Sequence, residues 1–235
     1  MTMPKRVIWC GNRFLDTYHI KTTSGEYMNR REHGGIKNCE IDGFDNQYVG
    51  CEYGAANFLL SSRMQESCVD FKYSINLDNS YLYCYTAPCE WLHIAYIDAL
   101  PNLDLSKLSK KIFKNISCDF CHPQTDIVKP EVIRKNLGYC DIIFDDRELY
   151  GTHHPGFNEK QLIVLHNKDG SVAWYSIDMY RYDSMAKPYI FSVGAGDRFA
   201  AAFIEARLQE FDIKRSQEFA HNKVGKWLEE VNRDL

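Results

Sequence analysis

The segment Phe191-Ser192-Val193-Gly194-Ala195-Gly196-Asp197-Arg198-Phe199-Ala200-Ala201-Ala202-Phe203 decides how the rest of the chain is read. A turn of small residues, Gly194-Ala195-Gly196, runs directly into a helical pattern whose first residue is acidic, Asp197. Backbone N–H groups at a helix start have no partner inside the helix and carry the positive end of its dipole, so such a turn can hold an anion. Glycine suits the turn because a side chain would keep phosphate oxygens away from the backbone. An acid beside a phosphate repels it. Its presence makes sense where it must take a proton from a hydroxyl that attacks phosphorus. The residues alone leave a second reading open, in which Asp197 caps the helix and the two glycines only make the turn.

Working outward, Arg6 to Cys10 reads as a buried strand that stops at Gly11-Asn12. Residues 17 to 53 are polar, rich in Gly, Asn and charge, and lack helical periodicity, which predicts extended or hairpin segments projecting from the body. Ala55 to Arg63 has helical spacing, with Ala56, Leu59, Leu60 and Met64 on one stripe. Val69 to Ile75, Tyr81 to Tyr85 and Trp91 to Ile97 are strand candidates. Ser106 is placed to cap a helix burying Leu108, Ile112 and Phe113, and Ser117 to Phe120 is strand-like. Lys129 to Leu137 reads as a helix with Pro130 in its first turn and Gly138 as its stop. Ile142 to Phe144 and Leu162 to Leu165 follow as short strands, and Asp169-Gly170 turns the chain into Val172 to Ile177. Asp197 to Gln209 and Lys214 to Val231 close the chain as helices. This alternation predicts a doubly wound α/β fold with a mainly parallel sheet.

Composition narrows the partners. A formal net charge of −4 gives no general attraction to nucleic acid or to an anionic membrane. No apolar stretch is long enough to span a bilayer, and the first residues lack a signal-peptide pattern, so a cytoplasmic location is expected. The nine cysteines are an odd set scattered among apolar runs, as reduced thiols packed like small hydrophobes would be. Cys118-Asp119-Phe120-Cys121-His122 matches a haem-attachment pattern, but it stands alone, without an export signal or a second Cys/His pair. His153-His154 reads as a solvated loop, and Trp174, Tyr175, Tyr180 and Tyr182 as sheet packing.

Gly194-Ala195-Gly196-Asp197, followed by Phe199 and the run Ala200 to Ala202, resembles the C-terminal signature of the ribokinase-like (PfkB-type) carbohydrate kinases. Other landmarks occur in that family's order. Gly11-Asn12-Arg13-Phe14-Leu15-Asp16 is similar to the end of its first strand, where an Asp holds substrate hydroxyls. Gly54-Ala55-Ala56-Asn57 is similar to its glycine-rich substrate motif at the start of a helix, with Asn57 on the sugar. Gly34-Gly35-Ile36-Lys37-Asn38 fits that motif too, but no helical pattern follows it, so Gly54 to Asn57 is preferred. Residues 17–53 are then a lid-like β segment, and 1–16 with 54–235 the kinase core. Cys140 to Glu148 resembles the strand leading to the family's Asn-x-x-Glu motif, with Asp145 in place of the Asn and Glu148 keeping the acid. Leu162 to Gly170 resembles the strand and turn beside the nucleotide, although Asn167 replaces a Gly. Phe191 and Ser192 stand where the family has an Asp-Thr pair, and the stretch from Arg63 to Trp91 is shorter than the family's.

The resemblance implies a small β lid on the α/β core and transfer of the γ-phosphoryl of ATP, with Mg²⁺, to a hydroxyl of a sugar or sugar phosphate. It assigns Asp197 as general base and Gly194, Ala195 and Gly196 as the anion hole. Asp16, Asn12, Gly54 and Asn57 are expected on the substrate, and Asn167, Gly170 and Asn222 on the nucleotide. Asp145 and Glu148 are expected to orient the metal. Leu15-Asp16-x-Tyr18 with Gly54 to Asn57 looks most like the heptose-phosphate branch, and Lys21, Arg30, Arg31 and Lys37 could supply cations for a phosphate or simply form a solvated face. A nucleoside kinase and a catalytically inactive binding relative are the alternatives. The lid further implies a homodimer.

Overall fold

The computed structural model describes residues 5–22, 24–49, 54–62, 65–72, 80–120, 128–146, 159–184, 187, 189–233 and 235. The chain begins with β1 (Arg6–Cys10), β2 (Arg13–Lys21), β3 (Tyr27–Gly35) and β4 (Asp45–Val49). Next come β5 (Gly54–Ser62), β6 (Gln65–Lys72), the single-turn α1 (Ser80–Tyr83), β7 (Cys89–Ile94) and β8 (Phe113–Cys118). The second half holds α2 (Pro130–Leu137), β9 (Ile142–Asp146), β10 (Leu162–Asn167), β11 (Gly170–Tyr175) and β12 (Asp178–Asp183). It ends with α3 (Ala195–Leu208) and α4 (Ile213–Val231).

Two sheets result. The larger has the order β12-β11-β10-β9-β8-β7-β1-β4, parallel from β4 to β10 and closed by the antiparallel β11 and β12. Side chains alternate across a strand, so β1 feeds two cores: Ile8 and Cys10 join one, Val7 and Trp9 the other. The first core also takes Ile133 and Leu137 of α2, and the second takes Phe199 to Ile204 of α3 with Ala220 of α4. A sheet covered on both faces needs apolar residues on both, which is why β1, β7 and β9 read as continuous hydrophobic runs. The predicted doubly wound, mainly parallel α/β fold is present.

The smaller sheet has the order β3-β2-β5-β6. It sits on the body through a third apolar cluster of Tyr18 and Ile20 from β2 with Ile190 and Phe191, flanked by Trp227 and Val231 of α4. Tyr18 meets Phe191 edge to face at 4.8 Å. The backbone of Phe191 is gripped in turn by Asn232, whose amide accepts from the Phe191 N–H and donates to its carbonyl, each at 2.8 Å.

Several expectations are corrected. Of the stretch Ala55 to Arg63 read as helical, the described residues 55–62 lie in a strand, β5, paired with β2 on one side and β6 on the other. A short apolar run does not separate helix from strand by its own period, and pairing on both edges decides the matter here. The second sheet is therefore built from 13–21, 27–35, 54–62 and 65–72, not from 17–53, because β4 leaves it to pair in parallel with β1. The helix expected after Ser106 is only the 3-10 turn Leu105–Lys107, capped by Asp104, and Phe113 begins β8. Tyr81 to Tyr83 lie in α1, not in a strand.

Phe191 is 1% exposed and packs between the smaller sheet and α4. Phe191→Ala is expected to lower stability by about 3–5 kcal/mol, measured by urea unfolding at fixed protein concentration.

Candidate functional site

The carboxyl ends of β1, β7, β8 and β9 and the start of α3 converge on Asp197. Helix α3 begins after Gly194, which has φ 81° and ψ 5° and makes no side-chain cap. Asp197 is 7% exposed, and its carboxylate serves other elements. Oδ1 accepts from the Tyr96 hydroxyl at 2.7 Å, and Oδ2 from Asn38 Nδ2 at 3.2 Å. Asn38 Oδ1 in turn accepts from the Arg198 guanidinium at 3.1 Å. Asp197 is thus not the helix cap, the simpler reading of its position. Gly194 is required twice over. Its left-handed φ disfavours any side chain, and a Cβ there would lie 2.4 Å from Asn38 Nδ2.

The amides of this turn divide. The Ala195 N–H donates to the Ser192 carbonyl at 3.0 Å, and that of Arg198 to the Gly194 carbonyl at 3.2 Å. Among the described residues those of Gly194, Gly196 and Asp197 reach no protein acceptor. Of the four amides from Gly194 to Asp197 expected to face an anion, that of Ala195 is turned onto its own chain, because the turn closes there.

Burial pushes the Asp197 carboxyl up to about 6, against the hydrogen bonds from Tyr96 and Asn38 and the Arg198 charge, with Asp16 adding to the rise. At neutral pH the group is ionised and still a useful base. Asp119, buried at the end of β8, is pushed well above the usual carboxylate range by burial and by the charge of Asp197, with Asp145 and Asp98 adding to it and the Phe120 N–H opposing. His166 stacks on Phe199 at 4.4 Å beneath Gly196, and burial pulls it down to about 4, so it is neutral.

Asp16, on β2, is buried, and its Oδ2 accepts from Tyr18 at 3.0 Å. Only glycine lets β3 cross it, because a Cβ on Gly34 would lie 2.0 Å from that oxygen. Asn12, past the end of β1, is fully buried, and neither side-chain amide atom has a partner among the described residues. Its carbonyl accepts from the Ile36 N–H at 3.1 Å. Gly54 and Asn57 are placed in β5, opposite Phe14 and Thr17 of β2, and open no helix. The glycine-rich segment that reaches Asp197 is Gly34 to Asn38. Gly35, at φ 63°, turns the chain into the 3-10 turn Ile36–Asn38, too short to leave a helical period in the sequence.

The remaining candidates are more scattered. Asn167 closes the β10–β11 turn by accepting from the Asp169 N–H at 2.9 Å. Gly170 is tight there, a Cβ meeting the Tyr182 carbonyl at 2.1 Å. Asn222 is exposed on α4, beside His221, which bonds Ser171 Oγ and stacks on Tyr182. Asp145 is buried at the carboxyl end of β9, where its Oδ1 accepts from the Asp146 N–H at 2.7 Å. Glu148, Cys121, His122 and the His153-His154 pair lie outside the described residues. No group of three or more His, Cys, Asp and Glu among the described residues is arranged to hold a metal ion. Of the cations considered for a phosphate, Arg30 lies over Phe191, Lys37 over Tyr48 and Lys21 over Tyr27. Tyr96 was not anticipated, nor was a site position for Asp119, whereas Asn38 belongs to the alternative motif passed over in favour of Gly54 to Asn57. Tyr96 and Asp119 lie at carboxyl ends of predicted strands, where open α/β sheets gather ligands, and that was their available signal.

No family model matches the sequence. The chain is 26% identical over 147 residues to a nucleoside kinase of Methanothermobacter thermautotrophicus, a match covering 55% of this chain and 44% of that protein. It spans less than half the length of the curated relatives it matches. Its fold matches the nucleoside kinase of Burkholderia thailandensis in complex with inosine, with TM-score 0.75, 12% identity, and coverage of 94% of this chain and 90% of that one. It also matches the fructokinase of Vibrio cholerae bound to fructose, ADP and potassium, with TM-score 0.68, 12% identity, and coverage of 97% and 94%. The fold is ribokinase-like. Among the described residues no helix is long and apolar enough to cross a membrane.

Gly194→Ala is expected to cost about 1–2 kcal/mol from the left-handed backbone alone and to push Asn38 off Asp197. Thermal unfolding, with the Asn38 side-chain amide followed by NMR, checks both effects.

Proposed function

We propose that the chain transfers the γ-phosphoryl group of ATP to a hydroxyl of a sugar, sugar phosphate or nucleoside, with Asp197 as general base. The observation that carries this reading is a buried carboxylate set at a helix start with three unengaged amides beside it. The ribokinase-like fold and the kinases it matches support the same class of reaction. A nucleoside acceptor has the nucleoside kinase match in its favour. The motif around Asp16 and Tyr18 favours a sugar phosphate.

In this mechanism Asp16, Asn12 and Asn38 bind the acceptor, the role first expected of Asn57 passing to Asn38. Asp197 takes the proton as the hydroxyl attacks. The N–H groups of Gly194, Gly196 and Asp197 stabilise the charge on the transferring group. Asp145 and Glu148 are proposed to orient, through its waters, a nucleotide-bound Mg²⁺ that would offset the charge of the phosphates. Asn167, Gly170 and Asn222 are proposed along the nucleotide.

Asp197→Asn is expected to lose about 10²–10⁴-fold in turnover, read as ADP release over a panel of sugars, sugar phosphates and nucleosides. Unchanged turnover removes Asp197 from the mechanism. A thermal shift with ATP·Mg²⁺ or an acceptor, but no ADP release from the parent protein, favours a binding relative instead.

A further inference from the structure

The shortest hydrogen bond to Asp197 comes from Tyr96, and it comes from an unusual backbone. Tyr96 sits at φ 65° and ψ 56°, the left-handed region that aromatic residues rarely enter. The bend follows β7 directly and is fixed from several sides. Ala95 presses on Gly11, where a Cβ would lie 2.7 Å from the Ala95 carbonyl oxygen, and its N–H donates to the Cys10 carbonyl at 2.7 Å. The Ala99 N–H closes a turn onto the Tyr96 carbonyl at 2.8 Å, and the Ile97 N–H donates to the Asp119 carbonyl at 2.9 Å. A strained conformation persists only where its surroundings over-determine it, and such residues gather at functional sites. Here the outcome of the strain is a phenol aimed at one carboxylate oxygen.

We propose that Tyr96 is a positioning residue, which holds Asp197 Oδ1 and reserves Oδ2, the oxygen shared with Asn38, to receive the acceptor's proton. This rests on the reading of Asp197 as the base. The groups facing that carboxylate are Tyr96 after β7, Asn38 and Cys39 after the 3-10 turn, Asp16 on β2, Asp119 after β8 and Arg198 on α3. Tyr96, Asn38 and Arg198 favour the charged form, and Asp16 opposes it. Deleting the phenol oxygen removes one favourable group and leaves the opposing one. The carboxylate must then bind its proton more tightly, and a base that works ionised must need a higher pH.

The test is Tyr96→Phe, which keeps the ring. The carboxyl carbon of Asp197 is titrated by ¹³C NMR in the full unliganded chain and assigned by its loss in Asp197→Asn. The midpoint is expected to rise by about one pH unit, the size of losing a hydrogen bond to a charged group. The acid limb of kcat/KM is expected to move with it. A fluorotyrosine placed at position 96, a stronger donor of nearly the same shape, is expected to move the midpoint the other way. A midpoint unmoved in both proteins overturns the role of Tyr96, whatever the chain catalyses. Absence of phosphoryl transfer in the parent protein defeats the kinase reading instead, and the carboxyl titration still decides Tyr96.

Discussion

The close approach of Asn38 to the start of α3 is the contact on which the arrangement depends. It needs a glycine at 194, because the backbone there is left-handed and Asn38 fills the space a side chain would take. It needs glycines at 34 and 35, because β3 must cross Asp16 and then turn sharply. It also needs Ile36 tied to the carbonyl of Asn12 at the end of β1. The segment 12–38 is thereby brought against the start of α3, more than 150 positions away in the sequence (Asn38 and Asp197 are 159 apart), by residues with little or no side chain. Side-chain chemistry is then laid over a frame of backbone contacts.

Electrostatics set the cost of that frame. Asp16, Asp98, Asp119, Asp145 and Asp197 are all buried at one end of the structure. Like charges out of water raise each other's proton affinity, and the structure answers unequally. Asp197 receives a phenol, an amide and a nearby guanidinium, so it stays near the range where a base is useful. Asp119, more deeply affected by burial, receives one backbone N–H and feels three other carboxylates, so it is pushed well above the usual carboxylate range. The neutral His166 beneath Gly196 adds no positive charge of its own under the anion turn.

The parallel sheet could be read from the sequence because its strands are buried on both faces and show as short apolar runs between helical patterns. Helices α2, α3 and α4 could be read for the same reason, with Pro130 and Gly138 marking the ends of α2. The start of α3 was legible because a glycine turn runs straight into a helical pattern there, although the role of Asp197 was not decided by those residues alone. The smaller sheet was not. Ala55 to Leu60 carries the spacing of a helical stripe, and only the edges of β2 and β6 on either side make it a strand. That reading favoured Gly54–Asn57 over Gly34–Asn38, the glycine-rich segment that reaches Asp197. Tyr96 was hidden for a different reason. Nothing local announces that a tyrosine after a strand will adopt a left-handed backbone, because the contacts that enforce it come from Gly11 and Asp119.

The grip of Asn232 on Phe191 carries a further implication. These residues are 41 positions apart, yet the C-cap of α4 clasps the peptide just ahead of the turn at Gly194. Phe191 also bears the weight of the smaller sheet through Tyr18. A substitution at Asn232 chosen as remote from the anion turn would therefore act three residues from Gly194, at the end of the fold that carries Asp197.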